Sequence, residues 1–196
     1  MAKTLLDMAG ADLTPARVAD AALVLIDLQN EYRAGPIAVT GADAAIANAA
    51  RLLRAARDAR APIVHVAHKG RAGGLFDREA ARGQIVAPLM PQADETVVEK
   101  GMPNAFAGTD LKTLLDASGR KNLILCGFMT HMCVSSTARA ATDLGFRVTI
   151  DASSCGTRDL PDGKGGTVAA AILHDVSLAE LADRFAIVAR TTDEII

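Results

Sequence analysis

The amino-acid sequence predicts an α/β protein: a three-layer α/β/α sandwich around a mostly parallel, doubly wound sheet of about six strands. Short apolar runs alternate along the chain with longer segments of helical periodicity, which is the pattern of repeated βαβ units. Several of those runs are apolar at nearly every position rather than at every second one, as strands covered on both faces must be. The length, 196 residues, suits one domain over 1–196 with a full-sized core.

In chain order, residues 22–26 form the first apolar run, ended by Asp27. Residues 42–60 are Ala-rich, with Ile46, Ala49, Ala50 and Leu53 at helical spacing, and read as an amphipathic helix. A second strand is expected at 62–67 and a shorter third at 95–98. A helix over 110–117 stops at Ser118-Gly119, and a fourth strand spans 122–126 before Gly127. Residues 132–144 read as a helix ended by Gly145, a common terminator. A fifth strand over 146–150 is closed by Asp151, a long helix covers 167–183, and 184–189 is the sixth strand. The segment 69–91, rich in glycine, proline and charge, is the least regular and is expected to be a lid or a subunit contact.

Composition excludes several classes of function. With 21 basic and 23 acidic side chains the net charge is −2, which gives no general attraction to nucleic acid or anionic lipid. One Tyr, five Phe and no Trp are a poor supply of stacking platforms for single-stranded nucleic acid. No apolar stretch of about 20 residues predicts a membrane span, and the N-terminus lacks the apolar core of a signal peptide. Three cysteines, Cys126, Cys133 and Cys155, are not a disulfide framework and point to a reducing, cytoplasmic setting.

In an open parallel sheet, ligands bind at the carboxyl ends of the strands. The reactive residues predicted there are Asp27, His68 and Lys69, Glu99 and Lys100, the turn 127–133, and Asp151 with Cys155. Cys133 is placed at the start of a helix, where free N–H groups favour a thiolate and bind an oxyanion. A nearby Lys100 ammonium is expected to lower the thiol pKa further, and Asp27 to take its proton and later activate water. The plainer reading of Cys133 is a small buried core residue; for Cys126, within an apolar strand, and Cys155 that reading is favoured.

Three segments in order carry a resemblance: Leu-Val-Leu-Ile-Asp-Leu-Gln-Asn at 23–30, Val-Glu-Lys at 98–100 followed by 104–111, and Leu-Cys-Gly-Phe-Met-Thr-His-Met-Cys-Val at 125–134 with 136–139 behind it. In these the chain resembles the isochorismatase-like cysteine hydrolase superfamily over nearly its whole length. The resemblance implies an Asp–Lys–Cys triad at Asp27, Lys100 and Cys133. It also implies a cis peptide bond between Phe128 and Met129, an oxyanion hole from the N–H groups of Met129 and Cys133, and substrate contacts from Phe106, Thr130 and His131. True isochorismatases cleave a vinyl ether and commonly lack the cysteine, so Cys133 favours carbon–nitrogen hydrolysis. Metal-binding nicotinamidases of the superfamily carry Asp-x-His after the second strand; here the sequence is His65-Val-Ala-His68-Lys69, which does not match.

The other signals are weaker. Residues 156–165 resemble a phosphate loop, but the spacing is wrong and Gly165 stands where Ser or Thr should follow Lys164. His174-Asp175 reads as a packing or surface pair, and Arg51, Arg54, Arg57 and Arg60 as a solvated helix face. The expected protein is an amidase-like cysteine hydrolase working through a thioester on a small molecule. It needs no cofactor or metal and binds neither nucleic acid nor membrane, and it forms a homo-oligomer, a dimer or tetramer. The alternatives are an ether hydrolase in which Asp27 donates a proton and Cys133 is incidental, and a non-catalytic binding protein.

Overall fold

The computed structural model describes residues 2–196. Its strands are β1 (Ala21–Ile26), β2 (Ile63–His68), β3 (Thr96–Lys100), β4 (Asn122–Phe128), β5 (Arg147–Gly156), β6 (Leu160–Pro161), β7 (Thr167–Val168) and β8 (Ile187–Ala189). The helices are α1 (Leu5–Met8), α2 (Ala42–Asp58), α3 (Leu111–Ala117), α4 (Ser135–Asp143) and α5 (Ala170–Arg184). Six strands form one parallel sheet in the order β3-β2-β1-β4-β5-β8, and β6 and β7 make a separate antiparallel pair. The order reverses between β1 and β4, so right-handed crossovers put α2 on one face and α4 with α5 on the other.

Burial explains the composition. Every residue of β1 is buried, and β4 is buried from Leu123 to Phe128. The alanines Ala42, Ala45, Ala49, Ala50 and Ala56 give α2 a small-residue face that lies close on the sheet, with Leu52 and Leu53 filling the remaining space. Among the described residues no helix is long and apolar enough to cross a membrane.

Most differences from the expected elements are extensions of the parallel ladder through polar residues. The third strand reaches Lys100 because Ala67 pairs with Glu99 and His68 with Lys100. The fifth does not stop at Asp151: it runs to Gly156, with a register shift opposite Leu125 and Gly127. Asp151 stays inside because its oxygens accept from the Ser153 N–H and from the hydroxyls of Ser153, Ser154 and Thr192. The expected helix over 132–144 begins instead with a π-helical turn (Thr130–Val134) before α4. The last helix starts at Ala170, since Thr167 and Val168 pair with Leu160 and Pro161, and it absorbs Arg184, so the sixth strand shortens to Ile187–Ala189.

At the amino end of the sheet, α2 is tied to the start of β3 through Glu95. Arg57 Nε and Nη2 donate to Glu95 at 2.7 and 2.9 Å, the Gln92 N–H donates at 3.0 Å, and His65 Nε2 lies 2.8 Å away. Burial works to raise the Glu95 carboxyl, yet these partners hold it down at about 2, while burial pushes His65 below its usual value. Because the folded carboxyl titrates below the unfolded one, its contribution is present above about pH 4.5 and is lost as the pH falls toward 2. Glu95→Gln is therefore expected to cost about 1–3 kcal/mol at pH 7. That gap should narrow by pH 3, where the unfolded carboxyl is already protonated and much of the wild-type contribution to stability is gone. Urea unfolding of both proteins at the two pH values measures this, and equal gaps would remove Glu95 from the role.

Candidate active site

The strand order switches between β1 and β4, where open α/β sheets bind ligands, and three side chains meet there at the carboxyl edge of the sheet. Asp27 follows β1 with a left-handed φ of 51°, rare outside glycine and asparagine or aspartate, while its N–H still donates to Val66 O at 2.9 Å. Cys133 lies in the π-helical turn that follows β4. Lys100 ends β3, two strands from β1 and so about 10 Å away, and its side chain reaches across the end of β2. Its Nζ stands 2.7 Å from Asp27 Oδ2, 3.3 Å from Cys133 Sγ and 3.2 Å from His68 Nδ1. The contact with Asp27 is a close ion pair rather than a well-aligned hydrogen bond.

Burial governs the electrostatics of this centre: Asp27 is 0% exposed, Lys100 2% and Cys133 3%. Burial pushes the Asp27 carboxyl up, against the Lys100 charge that holds it down. The Cys133 thiol is pushed up to about 12, first by burial and then by the negative charge of Asp27, with Lys100 only partly opposing. This corrects the expectation of a lowered thiol pKa: a neutral thiol sits beside an Asp27–Lys100 ion pair, in a π-helical turn rather than at the start of an α-helix. His68 is held neutral, down at about 4, by burial and by Lys100. An ammonium has donors only, so His68 Nδ1 must present its lone pair to Nζ.

The turn that carries Cys133 is fixed by its neighbours. Gly127 has φ 126°, and a Cβ there would stand 2.0 Å from the carbonyl oxygen of Ile26, so only glycine lets β4 close against β1. The peptide bond between Phe128 and Met129 is cis. Thr130, expected to touch substrate, is fully buried; its hydroxyl bonds Gly156 O at 3.1 Å and His174 Nδ1 at 2.9 Å. With its one proton given to Gly156, Thr130 must accept from a His174 N–H, so this pair braces the turn from behind. His131 bonds Thr157 Oγ1 through Nδ1 at 2.6 Å, while its Nε2 is buried without a protein partner, as is Nε of the adjacent Arg158. Phe106, expected to wall the pocket, stacks on Phe146 with ring centroids 6.2 Å apart. Phe146 immediately precedes β5, at the opposite end of that strand from the site.

The other side of the site is made by residues that the sequence reading passed over. Gln29 clamps the end of β2 to the following segment: its Nε2 donates to His68 O and Gly83 O at 2.9 and 2.7 Å, and its Oε1 accepts from the His68 N–H at 2.9 Å. The Phe76 ring packs on Tyr32 and His68, at 5.2 and 4.9 Å between centroids. Buried Glu31 accepts from the Phe76 N–H and from Arg82. The irregular segment at 69–91 is thus fastened beside the triad. Gln29 lay within the quoted 23–30 motif, but its clamp depends on backbone groups of a loop that carries no pattern. The two histidines of β2 meet different partners: His65 turns to Glu95 and His68 to Lys100.

The isochorismatase domain model matches residues 21–193. An isochorismatase structure from Pseudomonas putida KT2440 is similar over 100% of both chains, with 44% identity and a TM-score of 0.96. A secreted isochorismatase effector of Verticillium dahliae is 39% identical over 95% of this chain and 96% of its own. A maleamate amidohydrolase of Pseudomonas putida is 32% identical over 70% of this chain and 72% of its own.

The geometry of the ion pair makes a stability prediction. Lys100→Met leaves Asp27 buried without its counter-charge and is expected to cost about 3–5 kcal/mol. Adding Asp27→Asn removes the orphaned charge, so the double variant should be more stable than Lys100→Met alone. Urea unfolding of the three proteins decides the matter; a double variant less stable than the single one would mean that the pair is not coupled in the folded chain.

Proposed function

This chain belongs to the isochorismatase family and is a hydrolase, and from that premise we propose that it cleaves the carbon–nitrogen bond of a small amide through a thioester on Cys133. The observation that carries the reading is the Lys100 ammonium, 2.7 Å from Asp27 and 3.3 Å from Cys133, all three shut away from solvent. The maleamate amidohydrolase among the relatives supports amide over ether chemistry.

In this mechanism Cys133 Sγ attacks the carbonyl carbon while its proton passes to Asp27. The burial that raises the carboxyl makes Asp27 a stronger base than an exposed aspartate, closer to what proton transfer near neutral pH needs. The developing oxyanion is held by the N–H groups of Met129 and Cys133. Asp27 returns the proton to the leaving nitrogen, the C–N bond breaks and a thioester remains. A water then attacks the thioester, giving its proton to Asp27, and the acid leaves as the thiol is reprotonated. Lys100 keeps Asp27 ionised before the attack and balances the charge on sulfur during it.

His131 Nε2 and Arg158 Nε, both buried without protein partners, support a substrate that carries an acceptor, such as a carboxylate, near its amide. The free thiols support a reducing compartment. Cys133→Ala should lower amide hydrolysis by at least about a thousandfold while leaving the circular dichroism and unfolding midpoint nearly unchanged. Activity that survives the substitution would favour a non-covalent ether hydrolase. Arg158→Gln should raise KM for an anionic amide by about 10- to 100-fold and leave a neutral amide of equal size unaffected; parallel losses on both would remove Arg158 from substrate binding.

A further inference from the structure

The centre occupied by the Lys100 ammonium is surrounded by ligand chemistry. The donor atoms of Asp27, His68 and Cys133 all lie within 4.8 Å of one another. Each is in contact with the same cation: a carboxylate oxygen at 2.7 Å, the imidazole Nδ1 at 3.2 Å and the sulfur at 3.3 Å from Nζ. Because an ammonium only donates, the imidazole nitrogen and the sulfur turn lone pairs toward it, and the carboxylate oxygen closes on the same point as an ion pair. A thiol sulfur, an imidazole nitrogen and a carboxylate oxygen are the donors that tetrahedral zinc takes. Ligand atoms around zinc lie about 3.3–3.8 Å apart, so the three need to draw in by roughly an ångström or less. Asp27 and Cys133 are buried, while His68 is partly exposed.

We propose that Asp27, His68 and Cys133 form a latent site for a thiophilic divalent cation such as Zn²⁺, which enters in place of the Lys100 ammonium and silences the nucleophile reversibly. The ion forms one bond each to sulfur, imidazole nitrogen and carboxylate oxygen, with water in the fourth position. The S–H bond gives way to the S–metal bond, its proton leaves to solvent, and nothing is oxidised or reduced. Two negative ligands balance the ion, and the ammonium gives up its place at the centre. Binding itself does not rest on the amidase reading; only its effect on turnover does.

The test reads the metal and the thiol directly. Co²⁺ added to the reduced protein should give a thiolate-to-cobalt charge-transfer absorption that saturates at one ion per chain. Zn²⁺ should displace the Co²⁺ and slow alkylation of Cys133 at least tenfold by mass spectrometry, with Cys126 and Cys155 as internal controls and a chelator restoring the rate. His68→Ala should weaken Co²⁺ binding at least tenfold, and Lys100→Met, where it folds, should tighten it by a similar factor. No absorption together with no protection would overturn the proposal. So would absorption and protection unchanged in His68→Ala, because the ion would then be bound elsewhere. Failure of the amidase reading shows differently: hydrolysis would survive Cys133→Ala whatever the cobalt spectrum shows.

Discussion

A lysine ammonium without solvent is among the costliest groups a protein can bury, and here the rest of the site is arranged around that cost. Lys100 is tolerated because each direction open to its Nζ ends in an acceptor: a carboxylate, an imidazole lone pair and a sulfur. Those acceptors come from three different strand ends, β1, β2 and β4. The ladder must therefore bring Ile26, His68 and Phe128 to the same rim, and β3 must run to Lys100 itself. The same requirement accounts for Gly127, whose missing side chain lets β1 and β4 approach closely enough to set Asp27 and Cys133 about one cation.

A charged centre of this kind is neutral overall at rest: aspartate against ammonium, with the thiol and His68 uncharged. That favours a proton transfer coupled to attack over a standing thiolate. A thiolate would add a second negative charge beside Asp27 in a medium with little water to screen it. Burial therefore acts on two groups in a useful way. It keeps the thiol protonated at rest, and it strengthens the carboxylate that receives the proton in the mechanism proposed above.

The fold was legible because its signals are local and repeated. Continuous apolar runs such as 22–26 have few other uses, and the Asp27, Lys100 and Cys133 segments stood at the spacing the crossovers need. What could not be read was how far each strand continued once its residues became polar. Asp151 looks like a strand end until the hydroxyls of Ser153, Ser154 and Thr192 are seen around it, and Thr192 is 41 residues away. Phe106 and Thr130 were expected at the substrate from the resemblance. In the folded chain Phe106 packs on Phe146, and Thr130 bonds His174 and Gly156, partners that the sequence does not reveal. Gln29, Phe76 and Arg158 escaped for the same reason: their significance lies in loop carbonyls and neighbouring rings, which leave no periodicity.

The two histidines of β2 show how one strand serves two ends of the molecule. His65 and His68 are three residues apart, so the pleat sends them to opposite faces. His65 meets a carboxylate that ties α2 to β3; His68 meets an ammonium at the carboxyl edge. Burial disfavours charge on both, but Glu95 favours protonation of His65 while Lys100 opposes protonation of His68. A proton on His65 would therefore have a carboxylate to meet, whereas one on His68 would face an ammonium. The catalytic end keeps its neutral imidazole, because the cation that the site is built around already occupies the position a protonated His68 would compete for.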